Sequence, residues 1–103
     1  MGKDKSAEDV YRAVEIFRDR WFVPVLHCLL GGSTRQAEFL REMPGVSQRM
    51  LTRTLREMER NGLVTRRLVR EKPLWVEYRL TDLGLSLKPV LEAILHWAHK
   101  HRG

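Results

Sequence analysis

The twenty residues from Gly45 to Val64, GVSQRMLTRTLREMERNGLV, leave this chain few folds to choose from. Ser47 stands where a helix N-cap belongs, because its hydroxyl can accept from a free N–H of the first turn. Asn61-Gly62 supplies the stop, glycine being suited to the left-handed backbone that ends a helix. Between these signals Leu51, Leu55 and Met58 recur at helical spacing and form one apolar face. Arg49, Arg53, Arg56 and Arg60 recur on the opposite face. The segment is therefore expected to be a helix, 47–61, with an apolar back and an arginine front.

Local ion pairing is the plain explanation of such a front. It fails at the N-terminal end, because Arg49 has no acidic residue one turn away, whereas Glu57 and Glu59 fall among the later arginines. A capped helix with polar and basic side chains in its first two turns suits the DNA major groove. Charge concentrates in the same place. The chain carries 19 basic and 13 acidic side chains, a net +6, and seven arginines against two glutamates lie between Ser47 and Arg70. A basic patch of this density is the footprint of a polyanionic partner, here double-stranded DNA.

The flanking segments fit around that helix. Residues 1–5 read as a charged, mobile tail, and Ser6 with Asp9 as the cap of a first helix, 6–19, whose Val10, Val14 and Phe17 share a face. The nearly continuous apolar run from Trp21 to Leu30 reads as a central buried helix, 20–31, with Pro24 confined to its first turn and Gly31-Gly32 ending it. Ser33-Thr34-Arg35-Gln36 suggests a capping box for a third helix, 33–43, turning Ala37, Leu40 and Phe39 inward. Met43-Pro44-Gly45 is the turn into the basic helix, and the pair makes a helix-turn-helix.

After Gly62 the apolar period changes from 3.6 to 2. Leu74, Val76, Tyr78 and Leu80 alternate with Trp75, Glu77, Arg79 and Thr81, so 63–81 is expected to form a two-stranded hairpin turning at Glu71-Lys72-Pro73. Hung after a recognition helix, such a hairpin is a wing. The final helix, 82–101, begins at Thr81-Asp82, and Pro89 either kinks it or opens its longer second half. It carries more apolar side chains than one core-facing stripe needs, which makes it a dimer element together with residues of the first helix.

The expected fold class is thus α+β, mainly helical: one winged helix-turn-helix domain, 1–103, with a two-stranded wing and dimerisation helices at both ends. A chain of this length buries only roughly 60–70% of its unfolded surface, and small domains of this kind often gain stability by pairing. No stretch approaches the ~18 apolar residues of a membrane span, and the N-terminal MGKDKSAEDV is too polar for a signal peptide. The single cysteine, Cys28, excludes an internal disulfide; a reduced, cytoplasmic protein with no membrane association is expected. Cys28 lies within the apolar run and reads as a structural residue. His96 and His99 could share a helix face, but without a third close ligand they do not make a metal site. No nucleophile elbow, phosphate loop or supported carboxylate pair is present, so neither an enzyme nor a cofactor is expected.

The block GVSQRMLTRTLREMERNGLVTR, the tryptophan opening the second helix, VEYRLTDLG at Val76–Gly84 and LKPVLEAILHW at Leu87–Trp97 together resemble the HxlR-type winged-helix transcriptional regulators of bacteria, relatives of the MarR group. The resemblance covers about Trp21 to Trp97. It implies a homodimer on a pseudo-palindromic operator, usually as a repressor and sometimes as an activator. Two departures stand out. Gln36 follows Arg35 where the family usually has phenylalanine, and Val10 and Tyr11 occupy the region where many members carry a cysteine that some of them use for sensing. No redox role follows from the resemblance, and the chain names no small-molecule effector.

The candidate DNA contacts are Ser47, Gln48, Arg49, Thr52, Arg53 and Arg56 on the recognition helix. Arg66, Arg67, Arg70 and Lys72 on the wing and Thr34 and Arg35 at the start of the third helix are candidate backbone contacts. Val10, Tyr11, Val14, Leu91, Ile94, Leu95 and Trp97 are the candidate dimer interface. The competing reading is a winged-helix protein–protein interaction module without specific DNA readout.

Overall fold

A continuous core joins three central helices to a hairpin and to one residue of the last helix. The computed structural model describes residues 2–102 of the chain. Its elements are α1 (Gly2–Phe17), α2 (Phe22–Leu30), α3 (Gln36–Glu42), α4 (Gln48–Arg60), β1 (Val64–Arg70), β2 (Trp75–Leu80), α5 (Asp82–Leu85) and α6 (Lys88–Lys100). The two strands form one antiparallel sheet, in register from Val64 opposite Leu80 to Leu68 opposite Val76. This is a winged helix-turn-helix, mainly helical.

The core is built from Phe22, Val25, Leu26 and Leu29 of α2, Phe39 of α3 with Met43 behind it, and Leu51, Leu55 and Met58 of α4. Leu63, Val64 and Tyr78 extend it into the hairpin, and Leu91 closes it from α6. Apolar spacing explains these positions. It does not explain Thr54, which is buried on the same side of α4 and donates its hydroxyl to Asp19 at 2.7 Å.

Several boundaries differ from expectation, each for a local reason. Residues 2–5 belong to α1 rather than to a tail, and Met1 lies outside the described residues. Between Lys5 and Phe17 there is no glycine or proline to stop a helix, so Ser6 is an ordinary helical residue and not a cap. The helix ends at Phe17 because Asp19 organises the next turn, accepting from Trp21 N–H through Oδ1 and from Phe22 N–H through its carbonyl. Contact of α1 with the core runs through Ile16 and Phe17, the latter edge-on to Phe22 at 5.0 Å, whereas Val10 and Val14 are exposed.

Ser33 does not cap α3. Its N–H bonds to Cys28 O, finishing α2, and its hydroxyl donates to Glu42 at 2.6 Å. The cap falls at Arg35, and the Glu38 carboxylate accepts from the N–H groups of both Thr34 and Arg35. Those bonds favour the charged form and hold the Glu38 carboxyl below the usual carboxylate range. Starting two to three residues late turns Phe39, not Ala37, into the core.

The expected final helix is two. Thr81 caps α5 by accepting from Gly84 N–H, the chain turns at Ser86-Leu87, and Pro89 lies in the first turn of α6, where a missing N–H costs nothing. Gly84 is where α5 meets the hairpin: a Cβ there would stand 2.2 Å from the Leu63 carbonyl oxygen. Only glycine allows that approach.

Candidate nucleic-acid interface

The recognition element begins at Ser47, whose hydroxyl accepts from Met50 N–H at 3.1 Å. It ends in a Schellman motif, with Gly62 N–H bonded to Glu59 O, Leu63 N–H to Met58 O, and Gly62 at φ 74°. Leu51, Thr54, Leu55 and Met58 face inward, so Gln48, Arg49, Arg53 and Arg56 are left on the exposed face. Thr52 is half-buried at the edge of that face.

Two polar contacts set how α4 sits. On one side, Gln36 of α3 donates to Thr52 Oγ1 at 3.2 Å and accepts a longer contact from Gln48 Nε2 at 3.4 Å. On the other, Asp19 takes the Thr54 hydroxyl and lies 4.0 Å from Arg53 Nε. Glu57 pairs with Arg60. Among the described residues, neither Arg49 nor Arg56 has a carboxylate within ion-pair distance, so their charge stays available at the surface. Gln36 and Asp19 were not among the candidates. Gln36 carried a signal as the departure from the family pattern, and Asp19 carried none.

On the wing, Arg66 and Arg67 are exposed on β1, and Lys72 is exposed in the turn. The strand register slips between Leu68 and Arg70, so Arg70, not Val69, stands opposite Trp75. Thr34 is committed by its backbone: its N–H goes to Glu38 and its carbonyl accepts from Tyr78 N–H at 2.8 Å, tying the start of α3 to β2. Arg35 is exposed beside it, its guanidinium carbon 4.7 Å from the Trp75 ring centre. Predicted α3, α4 and wing residues thus come from three elements joined to one another by side-chain and backbone bonds.

Of the proposed interface residues, Val10, Tyr11, Val14, Ile94, Leu95 and Trp97 are exposed, with Tyr11 at 71% and Trp97 at 65%. Leu91 is not among them: it is 3% exposed and belongs to the core, because it faces α2 from the first turns of α6. Cys28 is buried, and burial first, then the neighbouring Glu42 carboxylate, pushes its thiol up to about 11. No described helix is long and apolar enough to cross a membrane.

Helix-turn-helix, wing and flanking helices define a winged-helix regulator. Residues 16–103 match the family model described as HxlR-like helix-turn-helix, and the chain belongs to that family. It is 43% identical over 97 residues to an uncharacterised HTH-type transcriptional regulator of Methanothermobacter thermautotrophicus, covering 94% of this chain and 74% of the relative. Against the YkvN regulator of Bacillus subtilis identity is 42% over 83 residues, 81% of this chain and 70% of the relative. Among solved structures it is similar to the redox regulator HypR in its oxidised form, with a TM-score of 0.85 and 33% identity over 92% of this chain and 98% of that one. The protein is a transcriptional regulator of the helix-turn-helix type.

Proposed function

We propose that the protein binds a pseudo-palindromic operator as a homodimer and acts as a repressor in the cytoplasm. The observation that carries this reading is the exposed front of α4, where Arg49 and Arg56 lack an acidic partner among the described residues while the opposite face is locked into the core. Side chains of the first two turns reach base edges when such a helix enters the major groove: arginine pairs with guanine, and glutamine with adenine. Ser47, Gln48, Arg49, Thr52, Arg53 and Arg56 form that surface. Arg66, Arg67, Arg70 and Lys72 of the wing, with Thr34 and Arg35, flank it and suit phosphate or minor-groove contact.

Dimerisation is supported by the apolar side chains that α1 and α6 leave uncovered, Val10, Tyr11 and Val14 on one and Ile94, Leu95 and Trp97 on the other. Isolated apolar residues on a surface are ordinary, but two helices each presenting a row of them are not. A two-fold dimer then reads two inverted half-sites about 10 base pairs apart, or a multiple of that. The reading is tested by selecting duplexes from a random pool with the purified protein and measuring affinity for the selected and random DNA across salt. Specific readout gives at least a ~10³ preference and a steep fall with salt. No preference, or no salt dependence, contradicts it.

A further inference from the structure

Trp75 occupies a place that neither the core nor the recognition helix explains. It opens β2, is only half-buried, and its buried Nε1–H has no acceptor among the described residues. A ring held for its hydrogen bond would be paired. Two guanidinium groups lie over it instead, with Arg35 Cζ at 4.7 Å and Arg70 Cζ at 5.3 Å from the ring centre. They arrive by separate devices. Arg35 is the cap residue of α3, fixed by Glu38 at its N–H and beside the Thr34–Tyr78 backbone bond. Arg70 is brought opposite Trp75 by the slip in strand register after Leu68.

Two long cations from elements 35 residues apart in sequence repel each other and lose rotamer freedom when ordered. The indole ring offsets both effects, because its π-electron density attracts each guanidinium while leaving the N–H fork open to a second ligand. We infer that Trp75 is a positioning residue that holds Arg35 and Arg70 as a preorganised two-guanidinium clamp on the DNA phosphate backbone, one arm from the helix-turn-helix and one from the wing. This rests on the DNA-binding reading above and adds to it the residue that couples the two backbone-contacting elements. Arginine on an aromatic face keeps its planar donors directed outward, and a phosphate accepts two of them at once.

The test is the slope of log affinity against log salt for wild type, Trp75→Leu and Trp75→Phe on random duplex DNA. Leucine keeps apolar bulk and removes the aromatic face; phenylalanine keeps a face. The clamp predicts that Trp75→Leu lowers the slope by about one to two units, as expected when one or two phosphates are no longer neutralised, and that Trp75→Phe restores most of it. A merely structural tryptophan would change melting temperature and leave the slope alone. Equal slopes in wild type and Trp75→Leu, or equal loss in Leu and Phe variants, overturn the clamp while wild-type binding keeps the DNA-binding reading intact. Loss of salt-dependent binding in the wild type itself overturns both. Should Trp75→Leu not fold, proton NMR of the free wild-type protein decides: the side-chain δ-protons of Arg35 and Arg70 should be shifted upfield by the indole ring current. Random-coil positions for both overturn the clamp.

Discussion

Thr54 donates its hydroxyl to Asp19 at 2.7 Å, joining the inner side of the recognition helix to the turn between α1 and α2. The same oxygen lies 3.1 Å from Met50 O, but a hydroxyl has one proton, and the shorter, charge-assisted bond takes it. The other carboxylate oxygen of Asp19 accepts from Trp21 N–H. One acidic side chain thereby fixes both the start of α2 and the seat of α4. Replacing Thr54 with valine removes the hydroxyl at constant shape and should cost ~1.5–3 kcal/mol, the range for a bond to a charged acceptor. Urea unfolding should show a lower midpoint at unchanged m-value. A midpoint equal to wild type contradicts the assignment.

Gly84 should tolerate nothing larger. The 2.2 Å approach of a Cβ to the Leu63 carbonyl oxygen leaves no flexible atom to move, so Gly84→Ala must shift α5 or the start of β1. A loss at or above ~1–3 kcal/mol is expected, as for overpacking against fixed structure. Gly31→Ala is the control, because a Cβ there meets nothing nearer than 3.4 Å. Thermal unfolding of the two variants should separate them clearly.

Cys28 should behave as a buried, neutral thiol. Burial and the Glu42 carboxylate raise it to about 11, so at neutral pH its thiolate fraction is roughly a hundredfold below that of a free cysteine. Alkylation of the native protein at pH 8 should be slow by about that factor against the urea-unfolded chain, and Cys28→Ser should leave DNA affinity unchanged. Because folding raises this pKa, the stability it contributes is whole below the free-thiol range and is lost as pH rises towards 11. Rapid labelling at neutral pH coupled to loss of DNA binding would overturn the structural role.

The apolar rows on α1 and α6 predict a dimer that one charge disrupts. Ile94→Glu places a carboxylate in a side chain that the core does not need, at 37% exposure. Sedimentation at micromolar concentration should give a dimer for the wild type and a monomer for Ile94→Glu, with circular dichroism unchanged. A 12.2 kDa wild-type species contradicts the proposal.

The recognition helix was legible because its signals are local: a cap at Ser47, a stop at Gly62, and two faces set by helical period. The second strand was legible for the same reason, through alternation at Val76, Tyr78 and Leu80. What escaped depends on partners distant in sequence. Asp19 meets Thr54 across 35 positions, and Arg35 meets Trp75 across 40, which no periodicity records. Ser33 misled because a serine before a helix reads as its cap, whereas here Glu42 competes for the hydroxyl. Leu91 misled because an apolar stripe does not reveal which of its members the core reaches first. The break in the last helix was carried by Pro89, which marks a first turn as readily as a kink.

Arg49→Ala isolates base readout by α4, since Arg49 lies in the first turn of α4, is exposed, and bears no described structural contact that its removal would disturb. Arg53 is less clean because of its 4.0 Å approach to Asp19. Binding isotherms on a selected operator and on random duplex, at several salt concentrations, should show Arg49→Ala losing ~1–3 kcal/mol on the operator with preference relaxed at one base position per half-site. Arg70→Ala and Lys72→Ala, measured alongside, should weaken both DNAs about equally and lower the salt slope by roughly one unit for each phosphate no longer neutralised. If Arg49→Ala instead weakens operator and random DNA alike while the wing variants change base preference, α4 is the clamp and the wing is the reader.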